Sequence, residues 1–257
     1  MGQLDNKVAV ITGGGRGIGQ AIALRYAAEG ATIVVSSRTQ AELDVTLARA
    51  GVNSDRGLAV VADAMDRDDA RRPVRDALER FGRVDILVNN VGGSVGSKSD
   101  PFAGDDATFE QTLVLTLTSA FWTTTAALPS MREHGFGRII SIGSGASKVT
   151  GGALPYTTAK HGLVGFTKEL AKAGAPHGIN ANLLCPGVTR TSLLNFDRIA
   201  AARGTTPEAE EARFAADCVQ QRIIEPDELT GMATLLASND GRGITGQVIS
   251  VDGGYKI

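Results

Sequence analysis

The stretch "VAVITGGGRGIGQAIA", residues 8–23, constrains the fold more than any other part of the chain. An apolar, β-branched run breaks into Gly13, Gly14 and Gly15, passes Arg16, Gly17, Ile18 and Gly19, and resumes with helical spacing. Such a sequence turns a strand directly into a helix. Glycines permit the tight turn and let backbone N–H groups approach a pyrophosphate at the positive end of that helix. The spacing is Gly13-x-x-x-Gly17-x-Gly19 rather than the commoner G-x-G-x-x-G, and the physics is the same. A merely tight strand-to-helix turn would need fewer glycines, so the loop reads as a nucleotide-binding one.

The rest of the chain repeats the alternation. "KVAVIT" (7–12), "ATIVVS" (31–36), "GLAVVA" (57–62), "VDILVN" (84–89), "RIISI" (138–142) and "INANLLC" (179–185) are short apolar runs, as expected for strands covered on both faces. Helical spacing fills the segments between them, including a long one at 107–133, and several close on Gly. Pro73 falls inside the third helical segment, where it predicts a late start or a kink. Strand–helix alternation predicts an α/β fold: a single Rossmann-type, doubly wound parallel sheet. No linker or repeat divides the 257 residues, so one domain is expected. The helix-prone, charged stretch 192–220 interrupts the alternation after a strand's carboxyl end, where it suits a helical substrate lid.

In dinucleotide sites an acid at the end of the second strand binds a free ribose 2′-hydroxyl. Here that strand ends "VVSSRT", with Ser37 and Arg38 and no carboxylate before Glu42. A hydroxyl and a guanidinium suit a 2′-phosphate, and Arg16 offers a second cation. NADP(H) is therefore the preferred cofactor, with NAD(H) left open.

"PYTTAK" places Tyr156 and Lys160 four apart, on one face of a helix. Alone, this pattern also fits two solvated surface residues. A phenol ordinarily titrates near pH 10, and an adjacent ammonium favours its ionised form. The pair thus suits general acid–base chemistry. Ser144, at the end of the fifth strand, is the nearest candidate to hold a substrate oxygen.

"TGGGRGIG" (12–19), "NNVG" (89–92), "SIGS" (141–144), "YTTAK" (156–160), "CPGVTRT" (185–191) and "VDGG" (251–254) stand in the order, and nearly at the spacings, of the short-chain dehydrogenase/reductase family. The chain resembles that family along almost its whole length, apart from 192–220. The resemblance implies Ser144, Tyr156 and Lys160 as catalytic residues, with Thr116 in the tetrad's Asn position. It implies cofactor contacts at Gly13, Gly15, Arg16, Gly17, Ile18, Gly19, Ser37, Arg38, Asp63, Ala64, Asn90, Gly92, Tyr156, Lys160, Pro186, Gly187, Val188 and Thr191. Pocket candidates are Ser94, Val95, Leu154, Val188, Leu193, Leu194 and Phe196. It further implies a secondary alcohol or ketone substrate, a 3-oxoacyl thioester among the options, and a homotetramer or homodimer. "TLTSAFWTTTAALP" (116–129) would lie in a subunit interface.

Two departures stand out. Ser144 lies one residue closer to Tyr156 than is usual, which leaves Gly143 at the usual spacing. Thr116 has no amide to support the helix distortion found there in the family. Its hydroxyl, bonding a carbonyl one turn back, is expected to hold the bend instead.

Composition removes other classes. A net charge of −2 lacks the basic excess of a nucleic-acid or anionic-membrane binder. No apolar run approaches transmembrane or signal-peptide length, and Cys185 and Cys218 form no CxxC pair, so a cytoplasmic protein is expected. His134, His161 and His177 show no metal-ligand spacing. A catalytically silent dinucleotide sensor, or a lyase or isomerase using bound cofactor transiently, are the alternatives to an oxidoreductase.

Overall fold

Strands and helices alternate along most of the chain, and helices cover both faces of the sheet. The structure, a computed structural model, describes residues 2–96, 102, 105–150, 152–192 and 194–256. The strands are β1 (Val8–Thr12), β2 (Thr32–Ser37), β3 (Gly57–Val61), β4 (Ile86–Asn89), β5 (Gly137–Ile142), β6 (Ile179–Pro186) and β7 (Val248–Val251). All pair in parallel, in the order β3-β2-β1-β4-β5-β6-β7. The order reverses between β1 and β4, which opens a crevice at their carboxyl ends. β7 was not among the runs read as strands. It is four residues long and only half-buried at the sheet edge, so it carries little apolar signal.

The helices are α1 (Gly17–Ala28), α2 (Gln40–Ala50), α3 (Arg67–Phe81), α4 (Asp106–Leu113), α5 (Ser119–Glu133), α6 (Leu154–Gly174), α7 (Phe196–Arg203), α8 (Pro207–Ala216) and α9 (Thr230–Ala237). One core layer packs α1, α2 and α9 on Ile11, Ile33, Val35 and Ile140. The other packs α3, α5 and α6 on Val10, Val34, Leu87 and Ile139. Alternate strand residues therefore face opposite layers, and the continuously apolar runs follow from burial on both sides. α3 does not start late. Asp66 caps it by accepting from the N–H groups of Asp68 and Asp69, and the helix runs through buried Pro73.

The long 107–133 segment is helical but not uniform. A π-helical turn, Val114–Thr118, joins α4 to α5. α7 and α8 fill the 192–220 stretch and pack on each other, with the rings of Phe196 and Phe214 edge-on at 5.9 Å. Arg190 ties α8 to the body of the molecule, pairing Glu211 at 2.5 Å and Glu225 at 2.9 Å.

Candidate active site

The crevice begins at the glycine loop. Gly13 (φ 65°) and Gly17 (φ 56°) both take the left-handed conformation, which side chains disfavour. A Cβ on Gly19 would stand 2.4 Å from the Gly13 carbonyl oxygen and 2.5 Å from the Asn90 amide nitrogen. The loop can close this far only with hydrogen there. Asn90 then fixes it, donating to the carbonyls of Thr12 at 3.0 Å and Gly13 at 3.1 Å. The Thr12 hydroxyl accepts from the backbone of Asn90 and Val91, so the ends of β1 and β4 are joined. Thr191 closes the other side, its methyl 3.3 Å from where a Gly17 Cβ would be. Gly187 lies so close to the Asp252 backbone that a Cβ would sit 2.6 Å from its carbonyl, which holds the Pro186–Val188 turn in place. A cradle walled by backbone and opening at the start of α1 fits a dinucleotide's phosphates.

Along the cradle, Ser37 ends β2 and exchanges hydrogen bonds with the Thr39 backbone. Arg38 is exposed, and among the described residues it makes no ion pair. Asp63 accepts from the Met65 N–H and precedes Ala64 in the turn leading to α3. Ile18, at the start of α1, is partly buried and packs against the core.

At the start of α6, Tyr156 is half-buried and Lys160 is 3 % exposed. The Lys160 ammonium lies 5.6 Å from the Tyr156 ring centroid and donates to the Ile142 carbonyl at 2.7 Å. It also stands 3.2 Å from the Cβ position of Gly92, beside the cradle. Ser144 follows β5, half-buried, its hydroxyl accepting from the Ala146 N–H at 3.2 Å. A side chain at Gly143 would point inward, 2.7 Å from the Cys185 sulfur and 3.0 Å from the Ser147 hydroxyl. That direction leaves Ser144 as the hydroxyl available to a ligand at this strand end. Burial pushes the Cys185 thiol up from its ordinary pKa, so Cys185 packs as a small apolar residue.

Thr116 lies in the π-helical turn, but its hydroxyl does not bond a carbonyl one turn back. It donates to the Gly93 carbonyl at 3.0 Å and accepts from the Gly93 N–H at 3.1 Å. The bend is thus held from outside the helix, by the loop that follows β4. One turn earlier, buried Thr112 accepts from the Val95 N–H at 3.0 Å. Thr108, a further turn back, faces Gly96, 2.8 Å from its Cβ position. The sequence reading missed Thr108 and Thr112. Their signal is a threonine every fourth residue through "TFEQTLVLT" (108–116).

Ser94 and Val95 sit on this stapled loop, with Ser94 exposed. Leu154 is 50 % exposed at the start of α6. Leu194 follows the Thr191 turn, donating to its carbonyl. Phe196 opens α7, and Leu193 lies outside the described residues. His134 and His161 each set a ring nitrogen against a carbonyl of their own helix. The described residues contain no cluster that could hold a metal ion.

The family model for short chain dehydrogenase matches residues 7–200. This chain belongs to the short-chain dehydrogenase/reductase family. It is 34 % identical to D-beta-hydroxybutyrate dehydrogenase of Cupriavidus necator, over 98 % of both chains. It is 32 % identical to the (2S)-[(R)-hydroxy(phenyl)methyl]succinyl-CoA dehydrogenase subunit BbsD of Thauera aromatica, over 99 % of this chain and 98 % of that one. A crystal structure of a short-chain type dehydrogenase/reductase from Mycobacterium marinum superposes with a TM-score of 0.88 at 30 % identity, covering 98 % of this chain and 96 % of that one. As a member of this family the protein is an oxidoreductase acting on CH–OH groups with a nicotinamide dinucleotide. No helix among the described residues is long and apolar enough to cross a membrane.

Proposed function

We propose that the protein is an NADP(H)-dependent oxidoreductase that interconverts a secondary alcohol and a ketone. The observation that carries this is the buried Lys160 ammonium between the Tyr156 ring and Gly92 at the cradle. The glycine loop and Thr191 hold the dinucleotide, which supplies or accepts the hydride when bound. Ser144 donates a hydrogen bond to the carbonyl oxygen. Tyr156 gives that oxygen its proton in reduction and takes it back in oxidation. Lys160 stabilises the phenolate left behind and, from its place beside Gly92, would hold the cofactor's ribose. α7 and α8 form the lid. The chain works in the cytoplasm, as a homotetramer or homodimer.

A 3-oxoacyl group is the favoured substrate class. Both relatives above carry names with a hydroxyl β to a carboxyl or thioester carbon. The candidate wall of Val95, Leu154, Val188 and Leu194 is apolar and suits an acyl chain. Steady NADPH consumption with a panel of ketones, 3-oxo acids and 3-oxoacyl thioesters tests this. Consumption only with simple ketones would remove the acyl class.

Cofactor choice rests on Ser37 and Arg38. NADPH should show the higher kcat/KM, and Arg38→Ala should lower it roughly tenfold to over a hundredfold, about 1.5–3 kcal/mol for a charge-assisted phosphate contact. Equal or better use of NADH by the unaltered enzyme would overturn the assignment.

Thr116 gives a third expectation. Its staple to Gly93 already holds the bend, so Thr116→Asn should change kcat by less than about tenfold, roughly 1.4 kcal/mol of barrier. Thr116→Val keeps the shape and leaves the Gly93 N–H unpaired. It should destabilise by about 1–3 kcal/mol and raise KM. A hundredfold gain in kcat for Thr116→Asn would show that the amide is required.

A further inference from the structure

Glu42 sits in the first turn of α2, yet its side chain returns to the glycine loop. A Cβ on Gly15 would be 2.9 Å from the Glu42 Cβ, 3.1 Å from its Oε2 and 3.1 Å from the Ser37 hydroxyl. The other carboxylate oxygen lies 3.9 Å from the Arg16 guanidinium. A carboxylate, a hydroxyl and a guanidinium therefore converge on one edge of the cradle. Thr46, one turn on from Glu42, locks α2 to this edge, its hydroxyl bonded to the carbonyls of Gly14 and Glu42.

We propose that Glu42 is a specificity-determining residue for the cofactor, acting against the two arginines. Its charge repels a ribose 2′-phosphate and offsets Arg16, while it accepts a hydrogen bond from a free 2′-hydroxyl. No acid ends β2, so Glu42 supplies from the next helix the carboxylate that favours an unphosphorylated ribose. The enzyme then discriminates weakly and accepts both dinucleotides, with Arg16, Ser37 and Arg38 tilting the balance to NADPH. The inference builds on that NADPH reading, but it concerns the ratio of affinities rather than which cofactor wins.

The test is direct binding. Dissociation constants for NADPH and NADH are measured on the full chain by nucleotide fluorescence or calorimetry, for the parent and for Glu42→Gln, which keeps shape and removes charge. Glu42→Gln should tighten NADPH about tenfold and leave NADH equal or weaker, because like charges placed together are strongly disfavoured. The gain should shrink at high salt, since both Glu42 and Arg16 are partly exposed. Glu42→Ala should move the ratio the same way. An unchanged ratio, or weaker NADPH binding, would show that Glu42 merely tethers Arg16, and would overturn the proposal. A parent that binds NADH tighter would remove the NADPH reading alone, because Glu42→Gln must still shift the ratio.

Discussion

Tyr156→Phe should lower turnover at least about 10²-fold, the lower bound for losing a positioned acid–base group, while the dissociation constant for NADPH stays nearly unchanged. The ring remains to pack, and only the proton donor is lost. Lys160→Ala should behave differently. Its ammonium lies 5.6 Å from the Tyr156 ring centroid and 3.2 Å from the Cβ position of Gly92, so under the proposed mechanism turnover and NADPH affinity should fall together. The two variants separate a proton carrier from a residue that also holds cofactor. If Tyr156→Phe kept a tenth of the parent turnover with chemistry rate-limiting, the mechanism would be wrong.

Gly19→Ala should be nearly as damaging, for a steric reason. The new methyl would lie 2.4 Å from a backbone oxygen and 2.5 Å from the Asn90 amide. The first is backbone, and the second is a side-chain amide already held by the carbonyls of Thr12 and Gly13, so the loop must part from α1. Overpacking of this kind costs about 1–3 kcal/mol, seen as a melting temperature lower by several degrees. The displaced loop should also bind NADPH about a hundredfold more weakly, roughly 2.7 kcal/mol. Gly231→Ala is the control. It lies in α9 with nothing within 4 Å of its Cβ position. There the methyl should leave NADPH binding unchanged and stabilise by up to about 1 kcal/mol. Equal NADPH affinity in Gly19→Ala and the parent would show that the loop is not the phosphate cradle.

The features legible in the sequence are those whose physics is local. Gly13 to Gly19 announce a strand that turns into a helix. Six apolar runs announce strands buried on both faces, and the spacing of Tyr156 and Lys160 places them on one helical face. What escaped depends on contacts between distant segments. β7 is short and half-buried, and only its pairing with β6 makes it a strand. Thr112 looks like any helical threonine until the Val95 N–H meets it. Glu42 sits too far along the chain to read as the acid that ends β2. The return of α2 to the loop brings it there. Gly143 and Ser144 could not be told apart by spacing alone, whereas the direction of the Gly143 Cβ toward Cys185 distinguishes them.

The π-helical turn at Val114–Thr118 gives the 106–133 helix a fixed tooth count. Thr112 upstream and Thr116 within the turn mesh with the loop after β4. Downstream, Thr123 and Thr124 mesh with Asn89 at the end of β4 itself. An α-helix advances about 100° per residue, and the wide turn inserts one extra step between the two sets of teeth. Removing a single residue from this turn would restore an unbroken α-helix and swing one set away from its partner. Length here is therefore a coded quantity. Substitutions at Val114 or Leu115 should be absorbed far more readily than a one-residue deletion, which would turn either the contact with the loop after β4 or the contact with Asn89 through more than a quarter circle.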